Sequence, residues 1–168
     1  MTPDEELMLA CGRGQAGAFD TLFERYRQPI WGYFRRRLDD CARAEELTQD
    51  TFVAVLKNAK RYEVRASFRT YLYSIAANLL AAERRRPVYR AGEPSAHQLP
   101  AGAASAADAG HVVRDAISRL DAREREILML REFEQLTYGE IAEVLDLPIN
   151  TVRSRLFRAR GELRQLLE

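Results

Sequence analysis

A three-residue break, Asp146-Leu147-Pro148, separates two amphipathic stretches and constrains this chain more than any other feature. Upstream, "LTYGEIAEVL" carries Thr137 and Glu140 at the spacing of a capping box, followed by apolar side chains at helical steps. Downstream, Pro148 stands where a helix can begin, and "INTVRSRLFRARGELR" continues it. Two helices joined by so short a turn form a helix-turn-helix. On a wheel of ~100° per residue, Ile149, Val152, Leu156, Ala159 and Leu163 fall on one side and are expected in a core. Asn150, Ser154 and Arg158 point the opposite way. Thr151 and Phe157 occupy the shoulders of that outward face, and Arg153, Arg155 and Arg160 flank it.

The charges around this break are sorted by sign. Residues 111–148 hold 5 Arg against 9 acids, whereas 149–164 hold 5 Arg against one Glu. Outward polar side chains of this kind can hydrogen-bond base edges, and the flanking arginines can reach phosphates. The N-terminus of the helix adds partial positive charge. A solvated arginine face is the plainer reading, but Phe157 has no evident core to enter, and the capped helix and tight turn precede it. A DNA-reading helix accounts for all of these. The net charge of only +1 predicts weak affinity for DNA without help.

The remainder is helical in period, with no alternation that suggests a sheet. "TPDEE" offers Thr2 as a cap, Pro3 at the first helical position and Glu5 to complete a capping box. In "AFDTLFERYRQPIWGYFRRRL", Phe19, Leu22, Phe23 and Tyr26 recur at helical steps, and Pro29 is expected to bend or restart the helix. "ARAEELTQDTFVAVLKNAKRY" puts Leu47, Thr51 and Val55 on one stripe beside Glu46, Gln49 and Asp50. "SFRTYLYSIAANLLAAERRR" starts on Ser67 as N-cap and buries Leu72, Ile75, Ala76 and Leu79. Residues 1–86 hold 15 basic and 12 acidic side chains. The Pro-, Gly-, Ala- and Ser-rich stretch that follows reads as a flexible linker over 87–110. A helix through "HVVRDAISRL" and another opening on Asp121 and Glu124 as a capping box complete a second unit, 111–168. The expected fold is all-α, with two small helical domains joined by that linker.

Several classes of function are disfavoured. No apolar run approaches the ~18 residues of a membrane span, and the acidic start lacks a signal peptide's basic region, so a cytoplasmic protein without membrane contact is expected. Cys11 and Cys41 lie in no metal-binding or redox spacing and read as buried or half-buried thiols. His97 and His111 have no catalytic partners. No catalytic residue, metal site or cofactor is expected, and the chain is not read as an enzyme.

Two sets of motifs resemble a known family. "DAREREILML", "LTYGEIAEVL" and "TVRSRLFRAR" are similar, in order and spacing, to region 4 of bacterial sigma factors, especially the extracytoplasmic-function (ECF) group of the sigma-70 family. "AFDTLFERYRQPIWGYFRRRL", "AEELTQDTF" and "ASFRTYLYSIAAN" resemble its region 2. Both regions separated only by a short linker, without a region 3 domain, are typical of the ECF group.

The resemblance implies a factor that binds the RNA polymerase core, opens the −10 element with region 2 and reads the −35 element with region 4. By motif, Glu46, Gln49 and Asp50 would meet the β′ clamp helices, and the β flap and promoter DNA would be further partners. An anti-sigma factor is also implied. Tyr62 through Ser67 would form the loop that captures an extruded base. Tyr62, Tyr71 and Tyr73 offer rings, while Arg65, Arg69, Asn78 and Arg84–Arg86 supply polar and positive groups. Tyr62 and Tyr71 are assigned to DNA; Phe68 is left between core and surface. At −35 the implied set is Asn150, Thr151, Arg153, Ser154, Arg155, Phe157 and Arg158. Three departures stand out: Leu56 and Tyr71 where Trp is frequent, the first expected to alter packing only, and Ala82 where an Asp usually pairs with the nearby arginines. Elements about 17 base pairs apart lie ~58 Å apart. A linker of about 24 residues spans ~27 Å r.m.s. and up to ~80 Å, which permits both contacts. The alternative is a two-domain regulator that binds an operator alone; near-neutral charge and the lack of a sensor fold argue against it.

Overall fold

The computed structural model describes residues 2–87 and 104–168. Among the described residues every regular element is helical. The chain divides into two units, Met1–Glu93 and Pro94–Glu168, and each is built on its own core. No helix among the described residues is long and apolar enough to cross a membrane.

The N-terminal unit contains α1 (Asp4–Gly12), α2 (Ala18–Arg35), α3 (Cys41–Asn58), a 3-10 turn over Ala59–Arg61, and α4 (Phe68–Arg84). Helices α2 and α4 both pack on α3, and α1 lies against α2 and the 3-10 turn. Their shared interior is apolar and closed: Met8, Leu22, Ile30, Phe34, Val55, Phe68, Leu72 and Ala76 are fully buried. Phe23 meets Phe52 edge-on at 4.9 Å between centroids, and Tyr33 meets Tyr73 at 5.7 Å. Such edge-on pairs satisfy the ring quadrupoles while filling space. Helices in folded domains draw most of their stability from tertiary packing rather than propensity, so this packing is what holds them.

Local signals fix several ends as the sequence suggests. The Ser67 side chain accepts from Thr70 N at 3.1 Å and caps α4. Asp40 caps α3 in the same way through Arg43 N. The stripe Leu47, Thr51 and Val55 is buried. Other expectations change. α1 has no side-chain cap at its start; Glu5 reaches instead to α4, where its Oε1 accepts from Phe68 N at 2.8 Å. α2 runs unbroken through Pro29, which lies on the exposed side, where water can satisfy the carbonyl that proline leaves without a donor. On α4, Tyr73 and Leu80 are buried whereas Ile75 and Leu79 are only half-buried, because the helix is covered by three neighbours and its buried face is turned from the simple stripe. Cys11 is half-buried and burial pushes its thiol pKa up; Cys41, at the first position of α3, is exposed rather than buried.

The C-terminal unit contains α5 (Ala104–Arg119), α6 (Ala122–Glu132), α7 (Tyr138–Leu145) and α8 (Ile149–Leu167). Helix α5 begins inside the stretch read as linker; the earlier part of that stretch lies outside the described residues. Helix α8 packs on α5, α6 and α7. Thr137 and Glu140 form the expected capping box, with bonds of 3.2 and 2.8 Å. Asp121 caps α6 by accepting from Arg123 N at 3.0 Å, but Glu124 does not complete a box.

Gly12 is required where α1 ends against the 3-10 turn, since a Cβ there would stand 2.5 Å from the Ala59 carbonyl oxygen. Gly161, within α8, faces open space. Gly12→Ala should therefore destabilise the N-terminal unit by about 1–3 kcal/mol through overpacking. Gly161→Ala should stabilise α8 by about 0.5–1 kcal/mol. Urea unfolding followed by fluorescence of Trp31, the only tryptophan, checks the first, and circular dichroism checks the second.

Candidate nucleic-acid and polymerase-binding surfaces

The turn before α8 is built by backbone geometry. Asp146 closes α7 in the left-handed region, at φ 51, and Leu147 N donates to Ala142 O at 2.9 Å. Pro148 then starts α8, and Val152 N returns to its carbonyl. This sets α8 across its unit with Val152, Leu156 and Ala159 buried. Ile149, in the first turn of α8, is not core: it is 39% exposed, and Leu163 is half-buried.

The opposite side of α8 is open. Asn150, Arg153, Ser154 and Arg158 are exposed, Thr151 and Arg155 are half-buried, and Phe157 is 81% exposed. All seven residues expected at −35 thus lie on one accessible surface. Their partners divide them. Arg153 donates to Asn150 Oδ1 at 3.3 Å, and Ser154 to the Thr151 carbonyl at 3.1 Å. Arg158 and Arg160 instead pair with acids of α6: Arg158 Nε lies 3.3 Å from Glu124 Oε1, and Arg160 donates to Glu132 at 2.8 Å. The Glu132 contact raises the Arg160 pKa. Glu124, expected in a capping box, is therefore committed to α8.

On the N-terminal unit the residues expected at −10 run from the loop before α4 to its C-cap, along a helix about 25 Å long. At its N-terminal end, Tyr62 is only 9% exposed, contrary to an open stacking platform. It stands edge-on to Tyr71 at 5.1 Å and to Phe68 at 6.4 Å, and its buried hydroxyl has no hydrogen-bond partner among the described residues. Burial first, then the charge of Glu5, pushes its pKa up to about 12. The loop before α4 turns Tyr62 inward, so Tyr71, half-buried, carries the accessible ring. Phe68 belongs to the core, as does Tyr73. Arg65 is exposed and pairs with Glu63 at 2.6 Å; Ser67 is committed to the helix cap; Arg69 is half-buried. Asn78, Arg84 and Arg85 are exposed farther along the helix.

Glu83 answers the question raised by Ala82. It is buried and binds Arg43 of α3 at 2.7 Å and Arg86 at 3.2 Å, so the next residue supplies the acid for the arginine cluster. Arg43 also pairs with Glu46, which gives the chain Glu46–Arg43–Glu83–Arg86 across α3 and α4. The hydrogen bond from Arg43 is the main reason the Glu83 carboxyl titrates below its ordinary range.

Glu46, Gln49 and Asp50 are all exposed on α3. Gln49 also lines an open cavity of about 210 Å³ between α2 and α3, with Phe23, Arg27, Gln28, Trp31, Glu45 and Thr48. Farther along, Val53 is exposed and Leu56 is 47% exposed. Leu56 is thus a half-exposed side chain on the same surface. Sequence spacing could not show the roles of Glu5, Glu83, Glu124 or Glu132, since each finds a partner on another helix. Among the described residues no group of three His, Cys, Asp or Glu side chains is placed to hold a metal.

Comparison with known proteins fits this arrangement. Residues 22–87 match the sigma-70 region 2 family and residues 111–163 the sigma-70 region 4 family. The chain is 30% identical to the RNA polymerase sigma-H factor of Pseudomonas aeruginosa, over 98% of this chain and 94% of that protein. It is 31% identical to the ECF RNA polymerase sigma factor SigC of Mycobacterium tuberculosis, over 94% and 87% respectively. The chain belongs to the ECF group of the sigma-70 family. Its function is that of an RNA polymerase sigma factor rather than of a stand-alone operator-binding regulator. Among solved structures, CnrH in complex with the cytosolic domain of CnrY is similar to this sigma factor with a TM-score of 0.75 at 25% identity, over 98% of this chain and 96% of that one.

The depressed Glu83 carboxyl contributes stability that is present above the ordinary carboxylate range and is lost as pH falls through its lower, folded value. Glu83→Gln in this sigma factor should cost about 1.5–3 kcal/mol at neutral pH. It should also flatten the acid-side loss of stability. Urea unfolding by Trp31 fluorescence at pH 7 and in steps toward pH 3 reads both effects.

Proposed function

We propose that the two units of this sigma factor divide promoter recognition between them. The C-terminal unit reads the −35 element in the major groove with α8. Asn150, Thr151, Ser154, Phe157 and Arg158 face base edges there, and Arg153 and Arg155 reach the phosphates. The observation that carries this reading is Phe157, an aromatic ring 81% exposed on a polar helix face, where contact with a thymine methyl would cover it. Weak binding by the free protein accords with its net charge of +1.

The N-terminal unit, through residue 86, engages the −10 element and the polymerase core. Tyr71 is the stacking ring for an unpaired base, with Arg65, Arg69, Asn78, Arg84 and Arg85 along the strand's path and Tyr62 and Ser67 supporting the loop. Single strands bind by such a combination of ring and cation. Glu46, Gln49 and Asp50 form the acidic and amide-bearing patch for an arginine-rich partner helix, the β′ clamp helices, and Val53 and Leu56 extend it with apolar surface. The β flap is the partner of the C-terminal unit. A connecting segment within 87–110 lets both units reach their elements. The factor works in the cytoplasm, without membrane contact, cofactor or chemistry of its own. An anti-sigma factor is its regulator, by analogy with CnrH, whose structure holds a domain of CnrY.

In vitro transcription from a genomic-fragment pool, with core polymerase and with or without this protein, tests the proposal. New start sites sharing two upstream motifs at fixed spacing are expected; no core binding and no new transcripts would overturn it. Arg153→Ala should weaken −35-dependent output about fivefold to a hundredfold and leave core binding intact. Asp50→Ala should do the reverse, as read by co-purification with core. At −10, Tyr71→Ala should reduce open-complex formation by permanganate footprinting, whereas Tyr62→Phe, which removes only a buried hydroxyl, should leave it unchanged.

A further inference from the structure

Glu124 is an acid in an unexpected place. It sits in the first turn of α6, its side chain is only 14% exposed, and it faces the outward side of α8. Any carboxylate there repels the phosphates of every DNA sequence equally, which lowers affinity without informing choice. It pairs with Arg158, 62% exposed, which points outward with Asn150 and Ser154.

We propose that Glu124 is a positioning residue that determines specificity: it holds Arg158 so that this side chain reads a guanine in the −35 element. The inference rests on α8 being the −35 helix. A guanidinium has two edges that can make paired hydrogen bonds, one through Nε and a terminal nitrogen, the other through both terminal nitrogens. The carboxylate's nearest approach is to Nε, at 3.3 Å, an ion pair on the side-edge flank of the guanidinium rather than a hydrogen bond. The end edge is then presented away from the protein. Guanine offers N7 and O6 side by side in the major groove, and a fixed end edge matches them. A phosphate makes no such demand, since it accepts a cation from many directions. Restraint of Arg158 therefore favours base reading over backbone contact and disfavours the phosphate alternative.

Arg160 provides the contrast. There Glu132 accepts from a terminal nitrogen, Nη2, at 2.8 Å, the nitrogen that the side and end edges share. That arrangement suits a flanking phosphate contact after the pair opens. The two acids of α6 thus hold neighbouring arginines in different ways.

The test is transcription by the reconstituted holoenzyme from a promoter library randomised across the −35 element, with the transcripts sequenced. The wild-type factor should prefer guanine at one position, and Arg158→Ala should abolish that preference. Glu124→Gln should reduce it about fivefold to a hundredfold while total output from the library stays level or rises. Glu132→Gln should change output from all sequences alike and leave the guanine preference in place. Retention of the preference in Glu124→Gln overturns the inference alone, as does its loss in Glu132→Gln. If Glu124→Gln lowers output at every sequence together with thermal stability, the acid is structural and the inference fails. A wild-type factor with no preference anywhere in the window overturns the −35 reading and this inference with it.

Discussion

The N-terminal unit depends on the acidic first turn of α1, which clasps two other helices. Glu5 accepts from Phe68 N at 2.8 Å, and Asp4 binds both Arg25 and the Tyr26 hydroxyl on α2. A carboxylate at a helix N-terminus satisfies an orphan donor and meets the positive end of the helix dipole. Here it comes from a distant segment, so it also fixes where α4 begins relative to α1. Phe68 enters the core at that point, and Tyr26, Tyr62 and Tyr71 gather around its ring. The accessible face of Tyr71 is thus set by a contact that itself faces no partner. Burial and the Asp4 bond hold the Tyr26 hydroxyl pKa well above its ordinary value, so the clasp does not titrate near neutrality through that ring.

What was legible in the sequence is what a single helix encodes. Ser67, Thr137 and Glu140 cap as their spacing indicates, because a cap and its backbone target lie within one turn. The buried stripes Leu47–Thr51–Val55 and Val152–Leu156–Ala159 follow from helical period in the same way. The outward set of α8 was legible by elimination once that stripe was placed. The failures arise where tertiary context overrides the local pattern. Glu5 and Glu124 carry the spacing of capping boxes, yet each is drawn to a better partner on a different helix, which no local pattern records. Ile149 has the correct period but lies in the first turn of α8, where it stays 39% exposed. Tyr62 is chemically suited to a nucleic-acid surface, and only the course of the loop decides that its ring points inward.

The same principle governs the charged surface. Counting arginines along 149–164 suggests a strongly basic face, but the fold brings Glu124 and Glu132 beside two of them. Likewise Arg86, just past α4, meets Glu83, which also binds Arg43, itself paired with the acid Glu46. A basic run in sequence is therefore a weaker attractor for phosphate in the folded molecule than its composition indicates. For a factor proposed to act only with polymerase, weak attraction for bulk DNA is an advantage, since every nonspecific site competes with the promoter.

These pairs differ in how easily they yield, and exposure decides it. Arg160 and Glu132 are both about half exposed, and pairs of that kind contribute roughly 0–1 kcal/mol. Opening such a pair for a phosphate costs little. Glu124 is far less accessible, so removing its arginine would leave a carboxylate short of both water and counter-charge. Glu83 is buried more deeply still and holds two arginines at once. The ordering runs from a pair that DNA can displace, through one that restrains an arginine while leaving an edge of it free, to one that belongs to the fold. Three acids of similar chemistry thus take three roles, separated by how much water each retains.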